Sequence, residues 1–126
     1  PCTDWTARDG TMESMADAYP LNADMMQWFV GHYLGPGDDP ADWRISPALA
    51  PDKAGLAPAL IYTAGFDPLT SQAKAYGDML SAAGVKTLYR TYPSLSHSFT
   101  AMSGVVPMAR KALAEISADV KQALSG

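Results

Sequence analysis

Apolar and polar residues follow three rhythms along this chain, and each rhythm specifies an element. In LNADMMQWFVGHYLG, Met26, Phe29, Val30, Tyr33 and Leu34 fall at i, i+3, i+4, i+7 and i+8, one face of a helix over 22–34. Asn22 is placed to cap it, and Gly35-Pro36 stops it, because Gly takes the left-handed C′ geometry and Pro cannot extend the ladder. Met25 and Trp28 widen the stripe, so the helix is expected either to be buried on two sides or to wall an apolar pocket. ALIYTAGFD over 59–67 is instead a short, nearly continuous apolar run, the pattern of a strand buried on both faces of a parallel sheet. Thr70 is then positioned to cap a helix through Ala83, with Ala73, Tyr76, Leu80 and Ala83 on one side and Gly84 as its stop. VKTLYRTY over 85–92, rich in β-branched and aromatic residues, is a second strand. Strand, helix and strand together make one βαβ unit with an expected right-handed crossover. Pro107 suits the first position of a last helix, whose apolar face is Ala109, Leu113, Ile116, Val120 and Leu124.

Two stretches carry no such rhythm. Residues 1–20 are polar and predict loop with at most a short helix. From Gly35 to Pro58 the chain is broken by Pro36, Pro40, Pro47, Pro51 and Pro58, and a loop of that length inside a compact domain is unusual. Trp43, Ile45 and Leu49 are expected to pin it to the body. The fold class is α/β, with parallel strands and flanking helices.

Composition narrows the function. At 126 residues the chain makes one domain at most, and 48% apolar with 17% charged residues excludes a disordered chain. No apolar run reaches the ~18 residues of a membrane span, and no basic start leads into an apolar stretch. Nine basic against thirteen acidic residues, a net charge of −4, speak against nucleic acid or anionic membranes as partners, since phosphate contacts need clustered Lys and Arg. One cysteine, Cys2, excludes an internal disulfide, and two histidines are too few for a zinc site of the usual type. No metal or cofactor is called for. The composition fits an acidic cytoplasmic protein.

The topology brings two chemical groups together. Asp67 stands just past the carboxyl end of the first strand and His97 in the loop after the second. Parallel neighbours lie about 4.8 Å apart, so both emerge on the sheet edge where ligands bind in open α/β folds. An Asp accepting from one imidazole nitrogen leaves the other free as a general base. Spacing alone also allows a turn-capping Asp and an ordinary surface His. His32, on the flank of its helix opposite Phe29 and without an acid at i±3 or i±4, is expected to be structural.

The residues around this pair resemble the hormone-sensitive-lipase family of α/β-hydrolase esterases. The carriers are Ile45-Ser46-Pro47, Gly55-Leu56-Ala57-Pro58-Ala59-Leu60-Ile61 and Ala64-Gly65-Phe66-Asp67-Pro68-Leu69. They continue with Ala75-Tyr76, Leu80, Ala83-Gly84-Val85, Tyr92-Pro93 and His97-Ser98-Phe99, an ordered set through most of residues 22–124. The resemblance implies that Asp67 orients a catalytic His97, and that Trp28, Phe29, Leu69 and Phe99 contact substrate. Two details depart from the family pattern. Ser98 replaces the usual Gly after the His, and Thr70-Ser71-Gln72 follows Asp-Pro-Leu where acidic residues are common.

The family's Gly-x-Ser-x-Gly elbow is absent: none of the ten serines has Gly at both −2 and +2, and there is no His-Gly-Gly-Gly segment. Pro1-Cys2-Thr3-Asp4 resembles the tail of the family's Tyr-Pro-x-x-Asp stretch. The chain therefore reads as the C-terminal part of one α/β-hydrolase domain. Residues 1–57 supply a pocket wall and connection, 58–126 the βαβα unit with the Asp and His loops. The nucleophilic Ser is expected upstream, with an ester as substrate and the upstream portion, or a second copy, as partner. The alternative is a non-catalytic α/β interaction or ligand-binding fragment.

Overall fold

The computed structural model describes residues 1–125. Its elements are α1 (Thr11–Ser14), α2 (Ala23–Tyr33), β1 (Ala59–Phe66), α3 (Thr70–Ala82), β2 (Thr87–Ser96) and α4 (Pro107–Leu124), with short 3-10 turns at Pro47–Leu49 and Phe99–Met102. β1 and β2 pair in parallel, from Ala59 opposite Thr87 to Ala64 opposite Tyr92. Parallel pairing of successive strands needs a crossover, and α3 supplies it.

Side chains alternate between the two sheet faces, and the helices divide accordingly. Ile61, Thr87 and Tyr89 close around Gly77 of α3. On the other face the Tyr62 hydroxyl donates to Asp119 Oδ2 of α4 at 2.9 Å, and Arg90 Nη1 pairs with the same carboxylate at 2.9 Å. Burial, then the acceptor Asp119, pushes the Tyr62 hydroxyl up to about 12. Ala64, Leu95, Phe99, Ala109 and Ala112 form the core beneath α4, with Tyr92, Met102, Val106 and Ile116 around them. The alanines let the helix approach closely, and Phe99 fills the space beside them. Burying such a ring contributes about 1.5–3 kcal/mol.

Several sequence expectations are corrected here. β2 starts at Thr87 rather than residue 85, because Val85 turns inward behind Gly84 (φ 79°) and donates its N–H to Leu80. It runs on through Pro93 to Ser96; a strand with one partner tolerates a proline that lacks the outer N–H. β1 is not buried on both faces: only Thr63 and Ala64 are buried, since its second edge has no strand partner among the described residues. Thr70 is the first residue of α3 rather than its cap, and its hydroxyl donates to the Ala64 carbonyl at 2.6 Å. On α4, Val120 and Leu124 lie exposed beyond the sheet, while Ala112 is buried.

The N-terminal half differs most from expectation. Asn22 caps α2 through Met25 N at 2.8 Å, as its position predicts. Only Met26 of that helix is buried, however, while Trp28, Phe29 and Tyr33 are exposed, so the helix is not enclosed on two sides. The long loop is not held by Trp43 or Leu49, which are also exposed. Its anchors are Ser46 and Ala48. Ser46 Oγ, fully buried, accepts from Trp5 N at 2.8 Å and donates to the Pro40 carbonyl at 2.6 Å. Ala48 N donates to the Thr3 carbonyl at 2.9 Å.

Candidate active site

Asp67 leaves β1 and turns at once into α3. Its Oδ1 accepts from Leu69 N at 2.9 Å, an Asx turn that points the carboxylate back over the sheet edge. Pro68 is fully buried, and its carbonyl accepts the Thr11 hydroxyl at 2.9 Å. The same Thr11 oxygen accepts Ser71 N at 2.9 Å, while Ser71 Oγ accepts Thr11 N at 3.0 Å. The neighbouring Gln72, also buried, accepts from Thr3 N at 2.7 Å and Asp4 N at 3.2 Å through Oε1. Residues 3–11 are thereby stitched to the start of α3 and hold the Asp67 turn from behind.

Asp67 Oδ2 meets His97 Nδ1 at 2.8 Å. A carboxylate accepts and does not donate, so Nδ1 carries the hydrogen, and in the neutral ring Nε2 keeps its lone pair. The Asp67 side chain is 13% exposed and that of His97 28%, which keeps the pair shielded yet open to a reactant. The His97 backbone N–H donates to the Phe66 carbonyl at 3.2 Å, resuming the strand ladder. Ser98 then takes the left-handed conformation (φ 60°, ψ 24°) and drives Phe99 into the core. That backbone region favours Gly; a non-Gly residue there costs about 1–2 kcal/mol.

Two cavities border His97. One, about 350 Å³, runs along the open edge of β1 past Leu60 to Thr63, Asp67, Leu69 and Tyr76. The other, about 220 Å³, lies among Trp5, Leu21, Met26, Phe29 and Leu69. Leu69 thus borders both cavities and Phe29 the second. Trp28 opens onto a separate cavity beside Asn22 and Met25, away from His97. Phe99 is not a lining residue: it is 6% exposed, packed against Tyr92 at 5.2 Å between ring centroids. His32 lies on the exposed side of α2, with Nδ1 2.8 Å from the Trp28 carbonyl and its ring 4.1 Å from the indole. Among the described residues no three His, Cys, Asp or Glu side chains gather as metal ligands. Thr11, Ser71 and Gln72 escaped sequence reasoning because small polar residues carry no periodic signal. Gly65 carried one, since a glycine inside a strand marks a close backbone approach.

Residues 1–101 match the family described as the alpha/beta hydrolase fold. The chain belongs to that family, in its hormone-sensitive-lipase branch. It is 44% identical over 100 residues to the carboxylic ester hydrolase LipN of Mycobacterium tuberculosis, covering 79% of this chain and 27% of that protein. It is 32% identical over 124 residues to the ethyl acetate hydrolase of Pseudomonas putida, covering 98% of this chain and 39% of that one. An ester hydrolase from the metagenome of Lake Arreo, solved with a bipyridine phosphonate derivative, superposes with a TM-score of 0.93 at 36% identity, over 100% of this chain and 40% of that one. The α/β-hydrolase chain thus spans less than half the length of these relatives.

Proposed function

We propose that this chain supplies the acid and base members of a Ser-His-Asp triad in a carboxylic ester hydrolase, the serine lying outside residues 1–126. The observation that carries the reading is the 2.8 Å contact between His97 Nδ1 and Asp67 Oδ2 beside two cavities. Nε2 of His97 takes the serine proton as the alkoxide adds to the ester carbonyl, and delivers it to the leaving alcohol as the tetrahedral adduct collapses. Water, deprotonated by the same nitrogen, then releases the acid and regenerates the serine. Asp67 stabilises the imidazolium and fixes its tautomer without taking the proton itself. The oxyanion donors, like the serine, come from the remaining part of the enzyme. The outer β1 edge, which has no strand partner among the described residues, supports that arrangement, because such an edge suits another strand. Leu69 and Phe29 border the space that an acyl or alkoxy group occupies.

Release of p-nitrophenol from short acyl esters tests the proposal. The 126-residue chain alone should give no enzymatic rate, whereas addition of a serine-bearing segment from a relative should restore it. Restored activity should vanish with His97→Ala. Robust hydrolysis by the chain alone, abolished by His97→Ala, would place the nucleophile inside residues 1–126 and overturn the division of labour. Failure of every serine-bearing segment to produce activity, with the complex formed, would leave the interaction-module reading standing.

A further inference from the structure

The register of β1 on β2 is not uniform. Residues 59–64 pair with 87–92 at a constant offset, but Phe66 pairs with Ser96, two positions further on. Gly65 alone on β1 therefore faces Pro93, Ser94 and Leu95 on β2. Had the first offset continued, Asp67 would lie opposite Leu95, roughly 6–7 Å along the strand from His97 at about 3.3 Å per residue. The two extra residues close that gap, and because they are two, side chains beyond the bulge keep their faces.

The bulge occupies the space over Gly65. A Cβ at that position would lie 2.0 Å from the Pro93 oxygen, 2.6 Å from its carbonyl carbon and 2.7 Å from its Cα. These are backbone atoms, so no side-chain rotation relieves the clash. Pro93 fits the bulge because it has no N–H to leave unpaired. Leu95, 5% exposed in the core with Ala64 and Phe99, fastens the far side. His97 is thus suspended between two buried anchors, Leu95 and Phe99.

We propose that Gly65 is a positioning residue for the Asp67–His97 pair: its missing side chain admits the Pro93 carbonyl, which lets β2 absorb two residues and deliver His97 to Asp67. The catalytic meaning of that position rests on the esterase reading above; the geometry does not. The direct test is histidine ¹⁵N and far-downfield proton NMR on the chain, with His32 as internal reference. Wild type should show a hydrogen-bonded Nδ1 proton on His97. Gly65→Ala should lose that resonance. Deleting Pro93 and Ser94 in the Gly65→Ala background should restore it, since the carbonyl no longer overlies the added methyl and the alternation is kept. Retention of the resonance in Gly65→Ala overturns the proposal, as does failure of the deletion to restore it, whether or not the single variant folds. In an active preparation, kcat of Gly65→Ala should fall about 100-fold with KM nearly unchanged, the scale of a 1 Å misplacement. Loss of the resonance without loss of kcat would refute the esterase role of the pair and leave the positioning role intact.

Discussion

His97 and His32 both present Nδ1 to an oxygen at 2.8 Å, and there the likeness ends. His97 sits between Leu95 and Phe99, each buried in the same core, and its acceptor Asp67 is fixed by the Leu69 N–H and by the Pro68–Thr11 contact. His32 donates from Nδ1 to the Trp28 carbonyl within its own helix turn and rests on Trp28, which is 58% exposed. Equal distances therefore hide unequal constraint. Around His97 long-range packing over-determines the side chain; around His32 only local geometry holds it. The same contrast separates the β1–β2–α4 unit from α2, whose apolar face lies open.

The largest test of this contrast is chemical. In an active preparation Asp67→Asn should lower turnover by about 10⁴-fold with the fold intact, because the tautomer is lost. Steady-state kinetics beside circular dichroism reads both quantities. A loss below tenfold would bring His97 down to the level of His32. The next test separates packing from exposure. Phe99→Ala should cost about 3–5 kcal/mol in urea unfolding, while Phe29→Ala, at 43% exposure, should cost less than about 1 kcal/mol. Equal losses would show that α2 is fastened as firmly as the core. Ser98→Gly should stabilise the chain by about 0.5–1 kcal/mol, since it relieves a left-handed residue at some cost in unfolded-state entropy. The smallest effect belongs to His32→Gln, which should leave the pH–rate profile unchanged and shift stability by less than about 0.5 kcal/mol. A lost limb in that profile would bring His32 into the chemistry.

The fold was legible where packing and periodicity agree. β1, α3 and α4 emerged from apolar spacing because each turns part of that spacing into the core: Ala64 of β1, Leu80 of α3, and Ala109 and Ala112 of α4 are buried. α2 shows the limit of such reading: Trp28, Phe29 and Tyr33 mark an apolar stripe correctly, but a stripe does not state what covers it. Asp67 and His97 were legible because parallel topology sends both loops to one edge. Phe99 was expected at the substrate because it lies two residues past His97, whereas the turn at Ser98 sends its ring into the core. Gln72 and Ser46 were invisible for a different reason. Each is a buried polar residue whose value lies in backbone N–H groups more than forty positions away.

Gln72 has one further consequence. Its Oε1 gathers the N–H groups of Thr3 and Asp4 onto α3 with an acceptor that is neutral at every pH. A carboxylate in that place would bind the same donors more strongly but would loosen on protonation. A half-exposed ion pair such as Lys74–Asp78 weakens as salt screens it. The amide does neither, so the join between residues 3–4 and the helix behind Asp67 keeps its strength in acid and in brine. Thr3, which walls the larger cavity beside His97, stays in place under both.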